Sequence, residues 1–249
     1  MLSVQEVQKS FGGIKAVDRC TLEVERKSIV GIMGPNGAGK STLFDIISGF
    51  EQPDSGTVIF KGEEIGGKTN FEIARMGLIR TFQLTKALTR MTVEENMLLA
   101  PKQQHGERIW NVWLHPEEVK RQEETNRDKA RSILEFFGLK SLKDAYAGAL
   151  SGGQKRLLEM ARALMAEPDM LLLDEPFSGV NPTLANKLLN HIKELRDHHD
   201  MTFLVIEHDM HIIMRLCDYI YVISKGKVIA SGVPAEVHRD KRVLDAYLG

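Results

Sequence analysis

The chain has 249 residues, 43% of them apolar, enough for a full core in one large domain or a domain with a subdomain, which excludes a disordered chain. Basic and acidic residues nearly cancel, 33 against 34, so no global field favours nucleic acid or an anionic bilayer. Cys20 and Cys217 lack metal-ligand spacing, and neither a basic leader nor a membrane-span apolar window occurs, so the expectation is a soluble protein of a reducing cytosol without disulfides or zinc.

Leu2 to Glu25 reads as two strands, with Val4 and Val7 in one, Leu22 and Val24 alternating with Glu23 and Glu25 in the other, and a Gly12-Gly13 turn between. Phe11, just before that turn, offers a ring either for stacking on a purine base or for packing at a strand end. Ile29, Val30, Ile32 and Met33 predict a buried strand, and Leu43, Phe44, Ile46 and Ile47 fall at helical spacing. Between them lies Gly34-Pro35-Asn36-Gly37-Ala38-Gly39-Lys40-Ser41-Thr42. In a strand, glycine loop, helix context this G-x-x-x-x-G-K-[ST] spacing lets backbone N–H groups wrap a phosphate chain at the positive end of the helix. Lys40 is placed to neutralise β- and γ-phosphates, and Ser41 to bind Mg²⁺.

A turn at Pro53 to Gly56 and a strand at Thr57 to Phe60 follow, then a short helix from Phe71 to Met76 that stops at Gly77. The apolar run Leu78 to Phe82 leads to Gln83, an amide at the ligand edge of an open sheet, where it touches Mg²⁺ or attacking water unless it is a plain surface residue. Thr92 and Glu95 have capping-box spacing, so a helix starts there. The irregular stretch 101–116 holds Trp110 and Trp113, which either anchor a partner or fill a satellite cluster, with packing the favoured expectation. Pro116 opens a long charged helix, Glu117 to Phe137, with Gly138 as its C′ residue.

Leu150-Ser151-Gly152-Gly153-Gln154 precedes a helical pattern from Leu157 to Met165 and supplies a second helix start with open N–H groups, or simply Ser151 as an N-cap. Met170 to Leu173 reads as a central strand delivering Asp174 and Glu175 to the ligand edge. Asp174 is placed to hold Mg²⁺, and Glu175 to polarise the water that attacks the γ-phosphate. Asn181 caps a helix with Pro182 at its first position, and the strand Thr202 to Ile206 ends in Glu207-His208-Asp209. His208 lies at the same edge and can donate to a γ-phosphate oxygen. Tyr219 to Ile223, the Lys225-Gly226 turn and Val228 to Ala230 read as a structural hairpin.

With Gly34 to Thr42, Leu150 to Gln154 and Met170 to Glu175 in this order, the chain resembles an ATP-binding-cassette (ABC) ATPase over nearly its whole length. Leu-Ser-Gly-Gly-Gln is that superfamily's signature, and Phe11, Gln83, Ser178 to Asn181 and His208 stand at its adenine-stacking, Gln-loop, D-loop and switch-histidine positions. The resemblance implies a single α/β domain over 1–249. It implies a phosphate-loop NTPase core of mixed/parallel sheet, an N-terminal antiparallel β-subdomain, and an α-helical subdomain inserted at about 84–160. It further implies a head-to-tail dimer in which Ser151 to Gln154 of one chain complete the ATP and Mg²⁺ site of the other. Gly179-Val180-Asn181 departs from the usual D-loop Ala-Leu-Asp and removes its carboxylate.

Arg80-Thr81-Phe82-Gln83, the Trp-containing segment, Ser178-Gly179-Val180-Asn181-Pro182, Ile206 to Asp209 and the ending Ala246 to Gly249 look like the ATPases of branched-chain amino acid importers. ATPases for urea uptake or lipopolysaccharide export share several of these features. The implied partners are membrane permease subunits, docking near 84–97, and indirectly a solute-binding protein, which puts the chain on the inner face of the cell membrane. A soluble cassette acting on DNA or ribosomes is the rival reading. The absence of coiled-coil insertions, of a second cassette and of global basic charge weighs against nucleic acid as partner.

Overall fold

In a computed structural model, which describes residues 1–81, 88–102, 110, 113 and 115–248, the N-terminal alternation becomes an antiparallel sheet. Strand β1 (Leu2–Phe11) turns at Gly12, φ 58°, into β2 (Ile14–Val24), and β4 (Ser55–Phe60) and β5 (Glu63–Glu64) extend the sheet in the order β2-β1-β4-β5. One face is apolar: Leu2, Val4, Val7, Leu22, Val24, Val58 and Phe60 are buried together with Leu43 and Phe44 of helix α1 (Lys40–Ile47).

The second sheet has the order β10-β9-β3-β8-β7-β6. Its members are β3 (Ile29–Met33), β6 (Leu78–Arg80), β7 (Met170–Asp174), β8 (Thr202–Ile206), β9 (Tyr219–Ser224) and β10 (Lys227–Gly232). All neighbours pair in parallel except β9 and β10, which form the antiparallel hairpin. Every residue of β3, β7 and β8 is buried, which is why these strands read as unbroken apolar runs rather than alternating ones. Register then does the positioning. Asp174 and Ile32 both sit opposite Ile206, so the carboxyl ends of β3, β7 and β8 meet at one edge.

The chain divides into two compact units. The first comprises Met1–Gln83, Asp169–Ser178 and Leu189–Gly249 and holds both sheets. The second comprises Leu84–Pro168 and Gly179–Leu188, reaching beyond residue 160 because the helix begun after Ser151 runs on to Met165. Its described helices are α3 (Val93–Leu98), α4 (Pro116–Phe136) and α5 (Gly152–Met165), which pack on one another. Helix α2 (Asn70–Arg75), in the first unit, starts at Thr69 with a complete capping box, as α3 does at Thr92 with Glu95. Gly138, φ 70°, ends α4 as the sequence predicts, and Leu139 N donates back to Leu134 O at 2.7 Å. Helix α6 (Pro182–His199) is capped by Asn181 Oδ1, which accepts from Leu184 N at 2.9 Å.

The tryptophans correct the sequence reading. Trp110 and Trp113 are 78% and 83% exposed, and the buried positions among the described residues of the helical unit include Val93, Met97, Ala130, Leu134, Leu158 and Ala161 instead. Both cysteines are buried, and burial pushes the Cys20 thiol up to about 12.

Asn96 organises the described part of the helical unit before α4. Fully buried, it accepts from Leu88 N at 2.9 Å and donates to Leu88 O at 3.1 Å and Thr92 O at 2.8 Å. Replacing it by leucine takes the acceptor from Leu88 N, at roughly 1–3 kcal/mol for the unsatisfied group, whereas Leu88 O and Thr92 O keep the N–H groups of Met91 and residue 96. Asn96→Leu is expected to lower the melting temperature and to speed hydrogen exchange at 88–98, while exchange in β3 and β8 stays as in the parent chain.

Candidate active site

Strand β3 carries the chain to Gly34 at the ligand edge, and α1 begins six residues later. Its N-cap, Gly39, has φ 99° and no side chain, so the first-turn N–H groups receive no side-chain cap and face outward for an anion. The loop between is wedged against its supports. A Cβ on Gly34 would stand 2.0 Å from Ile223 O, and one on Gly39 would stand 2.1 Å from Ala16 O. Gly226 N donates to Ala38 O at 2.9 Å, and Asp18 N donates to Gly226 O at 2.8 Å, so the β9–β10 turn and β2 brace the loop from behind. Asn36, Gly37 and Ser41 are exposed, Thr42 is half-buried, and Gly37 has φ 76° with open space where its Cβ would be.

Lys40 is buried, and its Nζ donates to Gly34 O at 2.7 Å and Pro35 O at 2.9 Å. Burial lowers its pKa, while Glu175 and Asp174 pull in the opposite direction. These are the carboxylates that β7 delivers. Asp174 is buried, and its Oδ2 accepts from Arg80 Nη2 at 2.8 Å; Arg80 Nη1 reaches Asp45 Oδ1 at 2.5 Å and Ser48 Oγ at 3.2 Å. Arg80 therefore ties the strand that carries Asp174 to the helix that follows the phosphate loop.

Glu175 adopts φ 45°, an uncommon conformation for a residue with a side chain, and its N–H donates to Ile206 O at 3.0 Å. His208 Nδ1 lies 3.8 Å from Glu175 Oε1, within ion-pair range but beyond hydrogen-bond range. Lys40, Asp174, Glu175 and His208 thus gather at the edge reached by β3, β7 and β8. Phe11 is 50% exposed, with Lys9 Nζ 5.4 Å from its ring centre, so the ring is not strand-end core. Gln83 lies outside the described residues.

The second helix start belongs to the other unit. Ser151 forms a complete capping box with Gln154: Gln154 N donates to Ser151 Oγ, and Ser151 N donates to Gln154 Oε1 at 2.9 Å. The N–H groups of Gly152 and Gly153 lie in the first turn, beyond the reach of any intrahelical carbonyl. A Cβ on Gly153 would meet Leu184 Cδ2 at 2.0 Å.

Residues 17–178 match the family model described as ABC transporter. The chain belongs to the ABC transporter ATPases. It binds nucleotide and is an ATPase coupled to transport. A second model, described as branched-chain amino acid ATP-binding cassette transporter, matches residues 227–249. Over the whole chain it is 42% identical to a probable branched-chain amino acid transport ATP-binding protein, LivG, of Archaeoglobus fulgidus, covering 95% of that protein. It is 39% identical to the high-affinity LivG of Escherichia coli K12, covering 98% of it. Among solved structures, a nucleotide-free ATP-binding cassette matches with a TM-score of 0.86 at 39% identity, covering 100% of this chain and 99% of that one. A cassette in an ADP conformation matches with 0.85 at 37%, covering 100% and 98%.

Two further residues at this edge of the sheet carried a signal that sequence reasoning passed over. Arg80 ends a short apolar strand and Glu207 follows a longer one, and a charge after such a run is aimed at the ligand edge as surely as Asp174 is. Gly226 carried none, because its task is a close approach between segments distant in sequence. That approach makes a strict demand at Gly39. In Gly39→Ala, both the left-handed φ and the contact with Ala16 O oppose the new methyl group. Affinity for a fluorescent ATP analogue is expected to fall by at least about tenfold, equivalent to 1.4 kcal/mol, with circular dichroism unchanged.

Proposed function

We propose that the chain is the motor subunit of an importer for branched-chain amino acids, using the ligand edge of its parallel sheet to hydrolyse ATP. The gathering of Lys40, Asp174, Glu175 and His208 at that edge carries the reading of the site. The likeness of residues 227–249 and of the whole chain to branched-chain amino acid transport ATP-binding proteins supports the substrate class.

In this reading the phosphate chain takes the N–H groups of Gly34, Asn36, Gly37, Gly39 and Thr42, and Lys40 turns from the loop carbonyls toward the β- and γ-phosphates. Ser41 and Asp174, with Gln83, are the holders of Mg²⁺. A hydroxyl and a carboxylate are oxygen donors of the kind this ion takes while keeping several waters, and a bound ion supplies charge neutralisation at the phosphate oxygens. Glu175 accepts a proton from the attacking water, His208 donates to a γ-phosphate oxygen, and Phe11 stacks on the adenine. Ser151, Gly152, Gly153 and Gln154 of a second ATPase subunit close the site from the other side.

ATP binding then draws two subunits together and hydrolysis releases them, driving permease subunits on the inner face of the membrane that receive solute from a binding protein. Among the described residues no helix is long and apolar enough to cross a membrane, so spanning belongs to the permeases in this assembly.

Glu175→Gln is expected to bind ATP normally and to slow hydrolysis roughly 10²–10⁴-fold, the usual contribution of a general base. Steady-state phosphate release and nucleotide binding measure both arms, and wild-type turnover would refute the role given to Glu175. For the substrate class, purification of the tagged chain with its native membrane partners and reconstitution in vesicles should give ATP-dependent uptake of leucine, isoleucine or valine. Uptake of urea, or recovery with a lipopolysaccharide exporter, would overturn the importer assignment.

A further inference from the structure

Glu207 is 1% exposed. It stands one residue beyond β8, and its own N–H donates to Ile32 O of β3 at 3.2 Å, so its backbone is anchored to the strand that feeds the phosphate loop. Its carboxylate spans the backbone donors of Phe177 and His208, with the Asp209 N–H also directed at it. Oε1 accepts from Phe177 N at 3.0 Å, and Oε2 accepts from His208 N at 3.2 Å. Burial pushes the Glu207 carboxyl up, opposed first by the Phe177 N–H and then by His208.

The Phe177 contact matters because of the turn it holds. Glu175 enters that turn at φ 45°, Ser178 N donates to Glu175 O at 3.1 Å, and Phe177 is itself buried. An unfavourable backbone conformation persists only where its surroundings over-determine it. Here β8 and the residue after it each supply an acceptor to the start of the turn, Ile206 O to Glu175 N and the Glu207 carboxylate to Phe177 N. The same carboxylate holds the backbone of His208, whose ring lies 3.8 Å from Glu175 Oε1. Two diverging N–H donors require two acceptor oxygens. An ionised carboxylate has both, whereas an amide presents an NH₂ to one of the donors and an apolar residue satisfies neither.

We propose that Glu207 is a positioning residue for ATP hydrolysis, clamping the Glu175–Phe177 turn and the backbone of His208 into one register. It touches neither water nor phosphate; it acts through Glu175 and His208. The proposal rests on the roles given to those two residues above, so its test carries their variants in parallel.

Glu207→Gln keeps the volume and loses one acceptor. Its kcat is expected to fall about 10²-fold, the scale of a small misplacement of reacting groups, while KM and the measured affinity for a fluorescent ATP analogue change by no more than about threefold. Because Glu207 acts through Glu175, the double variant E207Q/E175Q is expected to be no slower than E175Q alone. Wild-type kcat in E207Q, a loss shared equally between kcat and nucleotide affinity, or multiplied losses in the double variant would each overturn the proposal. If E207Q does not fold, E207D, which keeps the charge but withdraws it by one methylene, is held to the same criteria. Undiminished turnover in E175Q would instead overturn the underlying assignment of the general base, a separate result from an intact E175Q defect beside an active E207Q.

Discussion

The backbone of the phosphate loop approaches Ala16 O and Ile223 O so closely that two of its positions admit no side chain. Much of the surrounding architecture follows from that constraint. The loop conformation, with Gly34 at φ 154° and Gly39 at φ 99°, gains little from its own residues, so its shape is imposed from outside. β2 comes from the antiparallel sheet and β9 from the parallel one, and the β9–β10 turn bridges them through Gly226, which donates to the loop and accepts from Asp18. A Lys227–Asp18 pair at 3.1 Å lies beside this bridge. The N-terminal sheet is thus a backing for the phosphate site as well as the carrier of Phe11.

The same constraint clarifies the electrostatics. Lys40 is buried at the mouth of the loop, where an unpaired ammonium is expensive, and here its charge is solvated by the carbonyls of Gly34 and Pro35. Asp174 is likewise compensated by Arg80. The site therefore keeps its buried charges satisfied with ligands of its own. In the proposed function the phosphate oxygens of the nucleotide replace the Gly34 and Pro35 carbonyls around Lys40, and that exchange gives binding its leverage over the loop.

What the sequence made legible was whatever depends on local pattern or on strand identity. The glycine spacing before α1, the apolar runs of β3, β7 and β8, the capping box at Thr92, and the caps at Ser151 and Asn181 each follow from residues a few positions apart. The common edge of Asp174 and His208 followed from a general property of parallel sheets. The bracing by Gly226 depends on distant segments meeting and was silent, while for Arg80 and Glu207 the strand ends signalled a place but not the partners, Asp45 and Asp174 for one and the N–H groups of Phe177 and His208 for the other. The exposed Trp110 and Trp113 show the converse error, since a large aromatic side chain indicates apolar area without saying what covers it.

The two glycine-containing helix starts make a last comparison. At α1 the cap is a glycine without a side chain, and the turn's N–H groups rely on what binds there. At α5 the reciprocal Ser151–Gln154 cap uses the N–H of Gln154 and the backbone of Ser151 itself, but not the N–H groups of Gly152 and Gly153. Gly153 lacks a Cβ for a steric reason, its contact with Leu184 on the helix begun at Pro182. The pentapeptide is therefore a structurally sufficient helix cap that still leaves donors at its tip. Such a helix folds without any ligand, whereas the first is shaped to await one. In the proposed dimer this difference gives the two sides distinct tasks: the phosphate loop holds the nucleotide, and the capped helix of the other subunit is preformed to recognise that it has been held.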